Sequence, residues 1–163
     1  MRSGIGHEVL TANDSAARHT PGEQIEIVDS TGLKKYQYIN YDNGTGNLTL
    51  AAGNVVCYLD GSDWDGYTVT KDISDTVANL AAGIAQAALT DGYYGWIQTW
   101  GYYATVSTNG DDDIAGGVTL IASGDGTVDS VAAGTAPTYI PVGVAVAADV
   151  DADNTVAAYI RLS

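Results

Sequence analysis

From Gln24 onward the chain reads as short apolar runs broken by polar, glycine-containing clusters. The runs are Gln24-Ile25-Glu26-Ile27-Val28, Tyr36-Gln37-Tyr38-Ile39, Leu48-Thr49-Leu50, Val55-Val56-Cys57-Tyr58-Leu59, Tyr67-Thr68-Val69, Tyr94 to Trp100, Tyr102 to Val106, Val118 to Ala122, Val142 to Ala147 and Thr155 to Leu162. Each has the length of a strand. Between them Asp42-Asn43-Gly44-Thr45-Gly46, Asp60-Gly61-Ser62-Asp63, Asn109-Gly110-Asp111 and Ser123-Gly124-Asp125-Gly126 supply residues that tolerate the positive φ of tight hairpins. The pattern predicts a mainly β domain of about eight to ten short antiparallel strands, a small β-barrel or β-sandwich.

One segment is ambiguous. Val77, Leu80, Ile84 and Ala88 fall at helical spacing within residues 75–89. Against a helix, Gly83-Ile84-Ala85-Gln86-Ala87-Ala88 matches Gly143-Val144-Ala145-Val146-Ala147-Ala148, the later copy being strand-like. Each copy runs through an Asp-containing turn into another apolar run. Two related hairpins, with at most a short helical turn near Ser74 to Leu80, are the preferred reading. The opening stretch to about Gly22 is polar and has neither periodicity, as an extended or disordered arm would. The chain therefore divides into an arm, residues 1–30, and a β domain, residues 31–163.

Composition sharpens this picture. At 163 residues the chain is one domain in size, and 20 Gly and 11 Tyr with no Phe suit a turn-rich β protein whose core recruits Tyr and Trp. The net charge is −14, of which residues 1–35 carry −1. So acidic a body makes nucleic acid and anionic membranes poor partners. A lone cysteine, Cys57, excludes an internal disulfide. The opening residues contain no apolar signal region and no stretch approaches the roughly 18 apolar residues of a membrane span, so synthesis in the cytoplasm is expected. The sequons at Asn13, Asn43 and Asn47 are then chance.

Candidate chemistry is sparse. His7 and His19 lie in the arm, and Cys57 lies in an apolar run where a buried, inert thiol outweighs a nucleophile. Gly44-x-Gly46 lacks the third glycine and following helix of a dinucleotide site. Asp149, Asp151 and Asp153 are spaced as calcium ligands are, but Asn154 and Ile160 stand where an EF-hand needs Gly and Glu, so solvated turns are the simpler reading and no metal site or cofactor is assigned. The densest feature is aromatic: Tyr93, Tyr94, Trp96, Trp100, Tyr102 and Tyr103 fall within eleven residues. In a strand Tyr94, Trp96, Gln98 and Trp100 share a face, which could serve as core wall, as oligomer interface or as ligand platform.

From about Leu80 onward the order of features resembles the capsid decoration, or cement, proteins of tailed bacteriophages. The residues that carry the resemblance are Gly83-Ile84-Ala85, Tyr94-Gly95-Trp96-Ile97-Gln98, Gly116-Gly117-Val118-Thr119-Leu120, Asp125-Gly126 and Val142-Gly143-Val144-Ala145. The resemblance covers about half the chain. It implies a small, non-enzymatic, trimeric β protein on the outside of the virion, bound to the major capsid protein and stabilising the shell. It further implies that the arm makes the shell contact, which points to Arg2, Ile5, His7, Val9, Leu10 and Arg18. The alternative is a carbohydrate-binding or adhesin-like β module using the face of Tyr94, Trp96 and Trp100. A hydrolase with Asp-based chemistry ranks last.

Overall fold

A computed structural model describes residues 10–60, 65–110, 114–132, 134–137, 139–149 and 154–162. Ten strands follow one another: β1 (Gln24–Asp29), β2 (Gly32–Tyr41), β3 (Val55–Leu59), β4 (Thr68–Thr70), β5 (Thr76–Ala85), β6 (Tyr94–Ser107), β7 (Thr119–Ser123), β8 (Thr127–Ser130), β9 (Gly143–Ala145) and β10 (Thr155–Arg161). A 3-10 turn, Ile73–Asp75, precedes β5. The mainly β expectation is met. Residues 76–85 are strand, with Ala81 and Ile84 buried on one face and Ala82 and Ala85 on the other.

The ten strands form one sheet in the order β1-β2-β4-β3-β5-β6-β10-β9-β7-β8, and β2 pairs with β6 as well. That extra pairing closes β2, β4, β3, β5 and β6 into a small ring. Inside the ring sit Ile39, Tyr41, Leu50, Val56, Val69, Ala82, Ala85, Leu89 and Ile97. A second core lies on the other face of β3 and β5, where Val55, Cys57, Ala81 and Ile84 meet Leu120, Val128, Val156 and Ile160 from the β10-β9-β7-β8 wing. Alternation explains the shared wall: Val55 and Cys57 point one way, Val56 the other. Opposite Val56 and Cys57, β5 advances two residues to one of β3, a bulge that keeps Ala81 and Ile84 on the wing side and Ala82 and Ala85 inside the ring.

The matched segments have equivalent places. Gly83 of β5 leads into the β5–β6 hairpin and Gly143 of β9 into the β9–β10 hairpin. A side chain at Gly83 would strike Ile97 and Gln98 of β6, and one at Gly143 would strike Tyr159 of β10. Both glycines let a hairpin close tightly.

Four elements differ from expectation. Tyr94 to Trp100 and Tyr102 to Val106 are one strand, in which Gly101 adopts φ +99 where β6 leaves β2 for β10. Leu48 to Leu50 is loop, with Leu50 plugging the ring. β8 carries one buried residue, Val128, too little apolar signal to show in sequence. β2 and β4 pair parallel, through Asn40–Thr68 and Tyr41–Val69, where antiparallel pairing was the default.

Candidate functional site

The aromatic strand and the N-terminal segment meet on the outer face of β2 and β6. Residues 10–22 have almost no regular secondary structure, yet they lie against the sheet. Asp14 and Tyr94 exchange two backbone hydrogen bonds of 2.9 Å, and the Gly22 amide donates to the Tyr38 carbonyl at 2.7 Å. Beneath this strap Tyr36, Tyr38 and Trp96 form a third core, to which Leu10, Ile25, Ile27 and Tyr94 are added. His19, expected in a free arm, stands edge-on to Tyr38 and Trp96, with ring centroids 5.0 and 5.1 Å away.

A buried polar knot ties the strap down. Asp14 is 8 % exposed. One of its oxygens accepts the Tyr38 hydroxyl at 3.0 Å and the other pairs with Arg18 Nε at 3.0 Å. The Arg18 amide in turn donates to the Tyr38 hydroxyl at 3.3 Å. Burial, the largest influence, raises the Tyr38 pKa above its ordinary value, so the phenol stays protonated and able to donate.

The residues singled out in sequence therefore separate. Arg2, Ile5, His7 and Val9 lie outside the described residues. Leu10 and Arg18 belong to the strap. Tyr94 is half-buried under it, and Trp96, at 2 % exposure, is a core residue that presents no face to a partner. Only Trp100 of the three aromatics reaches a different environment. It pairs with Lys35 on β2 and Arg161 on β10. Lys35 Nζ is 6.0 Å and Arg161 Cζ 5.9 Å from its ring centroid, and Tyr159 meets it edge-on at 5.9 Å.

Sequence reading missed what surrounds Trp100. Lys34, Lys35 and Arg161 are half of all the basic residues of the chain. Beside Lys34, the tip of the β1–β2 hairpin exposes Val28 and Leu33. Lys34 and Lys35 pair with Asp29 and Glu26 of β1, at 2.8 and 3.4 Å. The result is an aromatic and apolar face, with Lys35 and Arg161 at the ring and both lysines matched by acids of β1, on a strongly acidic molecule. The signal was present as the weak charge of residues 1–35, but β10 brings Arg161 to it from the far end of the sequence.

Other chemistry is poorly provided for among the described residues. Burial pushes the Cys57 thiol up to about 12, so it is protonated and inert at neutral pH. A shallow groove of about 350 Å³ between the strap and the ring is lined by Asn13, Asn43, Asn47, Leu48, Thr90 and Asp91 among others, and brings no aromatic ring to its surface.

With this geometry in hand, the chain can be set beside known proteins. No protein-family model and no curated protein matches it. A solved structure does. The head fiber gp8.5 N base of bacteriophage phi29 superimposes with a TM-score of 0.51, at 17 % identity, over 78 % of this chain and 94 % of that one. At that identity the likeness is one of fold.

Proposed function

We propose that the protein is a non-enzymatic structural component of a bacteriophage virion, binding the outside of the capsid and stabilising it. The observation that carries this reading is the fold shared with a phage head fiber base over most of both chains. The order of motifs from Leu80 onward supports it independently. In this reading the protein acts as a symmetric trimer on the major capsid protein, where several weak contacts add up to tight capture.

Two parts of the molecule suit the contact. Residues 1–9 precede the strap and supply Arg2, Ile5, His7 and Val9. The face around Trp100, Lys35 and Arg161 supplies a rigid aromatic anchor with cations, the residue types that dominate interface energetics. Residues 10–22 serve differently: they cover Trp96, so their removal damages the fold and not the contact alone.

The test is co-sedimentation with expanded, undecorated capsids, counting copies per shell at saturation. Saturable binding at a copy number matching the lattice symmetry, lost when residues 1–9 are removed or when Trp100→Ala is combined with Lys35→Glu, supports the proposal. No binding by the intact chain overturns it. Light scattering of the purified protein tests the oligomer separately: a trimeric mass supports the symmetric assembly, and a monomeric mass removes it.

A further inference from the structure

Closure of the ring leaves two strands at the ends of the sheet, β1 and β8. An end strand carries a row of backbone amides and carbonyls that can take up a further strand unless something blocks it. The two ends differ. β8 is four residues long and its outer side is occupied: Val128 bridges to Thr108, and the Gly126 carbonyl just before it accepts the Val55 amide at 2.9 Å. β1 is six residues long, pairs with β2 in unbroken register, and contains neither proline nor lysine to blunt it.

Ladder alternation identifies the open groups of β1. The Glu23 carbonyl accepts the Tyr38 amide at 2.9 Å, so Ile25, Ile27 and Asp29 continue the bonded pairs with Tyr36, Lys34 and Gly32. Gln24, Glu26 and Val28 then turn their amides and carbonyls away from β2, and these groups have no partner among the described residues. On the Trp100 side of the hairpin, Glu26 reaches Lys35, whose Nζ is 6.0 Å from the Trp100 ring centroid, and Val28, opposite Leu33, is 76 % exposed. The open edge and the aromatic face are thus one continuous surface. Residues 24–37 hold two acids and two lysines, a neutral patch on a molecule of charge −14. A second copy would approach it against the repulsion of two acidic bodies, whereas a neutral or basic segment would not.

We infer that β1 accepts on its open edge one extended segment of the shell protein, neutral or basic in charge; the inference rests on the shell-binding reading above. Main-chain hydrogen bonds to Gln24, Glu26 and Val28 supply the affinity. One face of the added strand continues the third core past Ile25 and Ile27, and the other lies beside Glu26 and Val28, so its apolar and polar residues alternate.

The experiment is co-sedimentation of the intact protein with expanded, undecorated capsids, comparing wild type, Val28→Pro and Val28→Thr. Proline is tolerated on an edge where the amide faces outward, so Val28→Pro keeps the β1–β2 ladder and removes one donor for the added strand. It should bind at least about tenfold more weakly, whereas Val28→Thr, which keeps the amide, should bind within about twofold of wild type. Should Val28→Pro fail to fold, hydrogen exchange on the wild type replaces it: shell binding should slow the amides of Gln24, Glu26 and Val28, which exchange fast in the free protein. Binding by folded Val28→Pro equal to wild type, or amides that stay fast on the shell, overturns the strand addition and leaves the shell reading standing. No sedimentation of the wild type overturns that reading, and this inference with it. Slow exchange of these amides already in the free protein puts another occupant on the edge, its own chain if independent of concentration and a second copy if it grows with concentration. Either overturns the assignment to the shell.

Discussion

At the scale of single residues, what a side chain does depends on what covers it. Trp96 and Trp100 lie four apart on one strand, and unbroken alternation would give both the same face, but β6 gains a residue on β2 between Gln98 and Trp100, so one is sealed under His19 and the other stands between two cations beside Lys35. Nothing in the strand's own sequence distinguishes them. The cover comes from residues 10–22, whose polar composition lacks any period and whose place is fixed by backbone hydrogen bonds and one buried carboxylate. Tyr38→Phe removes the hydroxyl that bridges Asp14 and Arg18, and should cost about 1 kcal/mol, seen as a fall in Tm of about 2–4 °C. Cys57 behaves oppositely to a reactive thiol. It should resist iodoacetamide at neutral pH until the protein is denatured. Because its pKa is raised from 9.0 to about 12 by burial, the fold favours the neutral thiol, and that contribution is intact below pH 9 and fades as alkali is added above it.

Among the elements, the strands that carry their own pattern were legible and those defined by partners were not. β3 was readable end to end, because Val55 to Leu59 is apolar on both faces and both faces are buried. β5 was recoverable through its match to the β9 segment. The sequence of β6 reads as two strands because glycine normally interrupts one, whereas Gly101 marks a change of neighbour within a continuous strand. Its φ of +99, with the Leu33 carbonyl where a Cβ would sit, predicts that Gly101→Ala costs at least about 1–3 kcal/mol in denaturant titrations. The turn at Gly44 to Asn47 is held from outside by Asp72 and Asp75, the Thr45 amide donating to Asp75 at 2.6 Å and the Gly46 amide to Asp72 at 2.8 Å. Hydrogen bonds from Ser74 and Gly46 keep the Asp72 carboxyl below its ordinary value. Its contribution is therefore present above that value and lost as acid protonates it. Thermal melts of Asp72→Asn and wild type should differ near neutrality and draw together only as the pH falls below the ordinary carboxylate value, the side of the window where the carboxylate is lost.

For the molecule as a whole, composition and turn spacing revealed the β class, but the closure of the ring through β2 and β6 and the parallel β2–β4 pair depend on contacts far apart in sequence. The candidate face shows the same dependence, since Lys35, Trp100 and Arg161 come from three strands. With a net charge of −14, self-repulsion opposes compaction, so moderate NaCl should raise Tm, an effect readable by circular dichroism. Because β3 and β5 wall both large cores, the ring and the wing should melt in a single transition, with coincident near- and far-ultraviolet curves. The position of β10 also sets an order of events during synthesis. It follows the other nine described strands in sequence, yet it lies between β6 and β9 and is the link by which the wing joins the ring. A nascent chain still lacking residues 155–161 can close the ring but cannot seat the wing, and the apolar faces of β7 and β9 wait uncovered. The second core thus completes only after Arg161 has cleared the ribosomal exit tunnel.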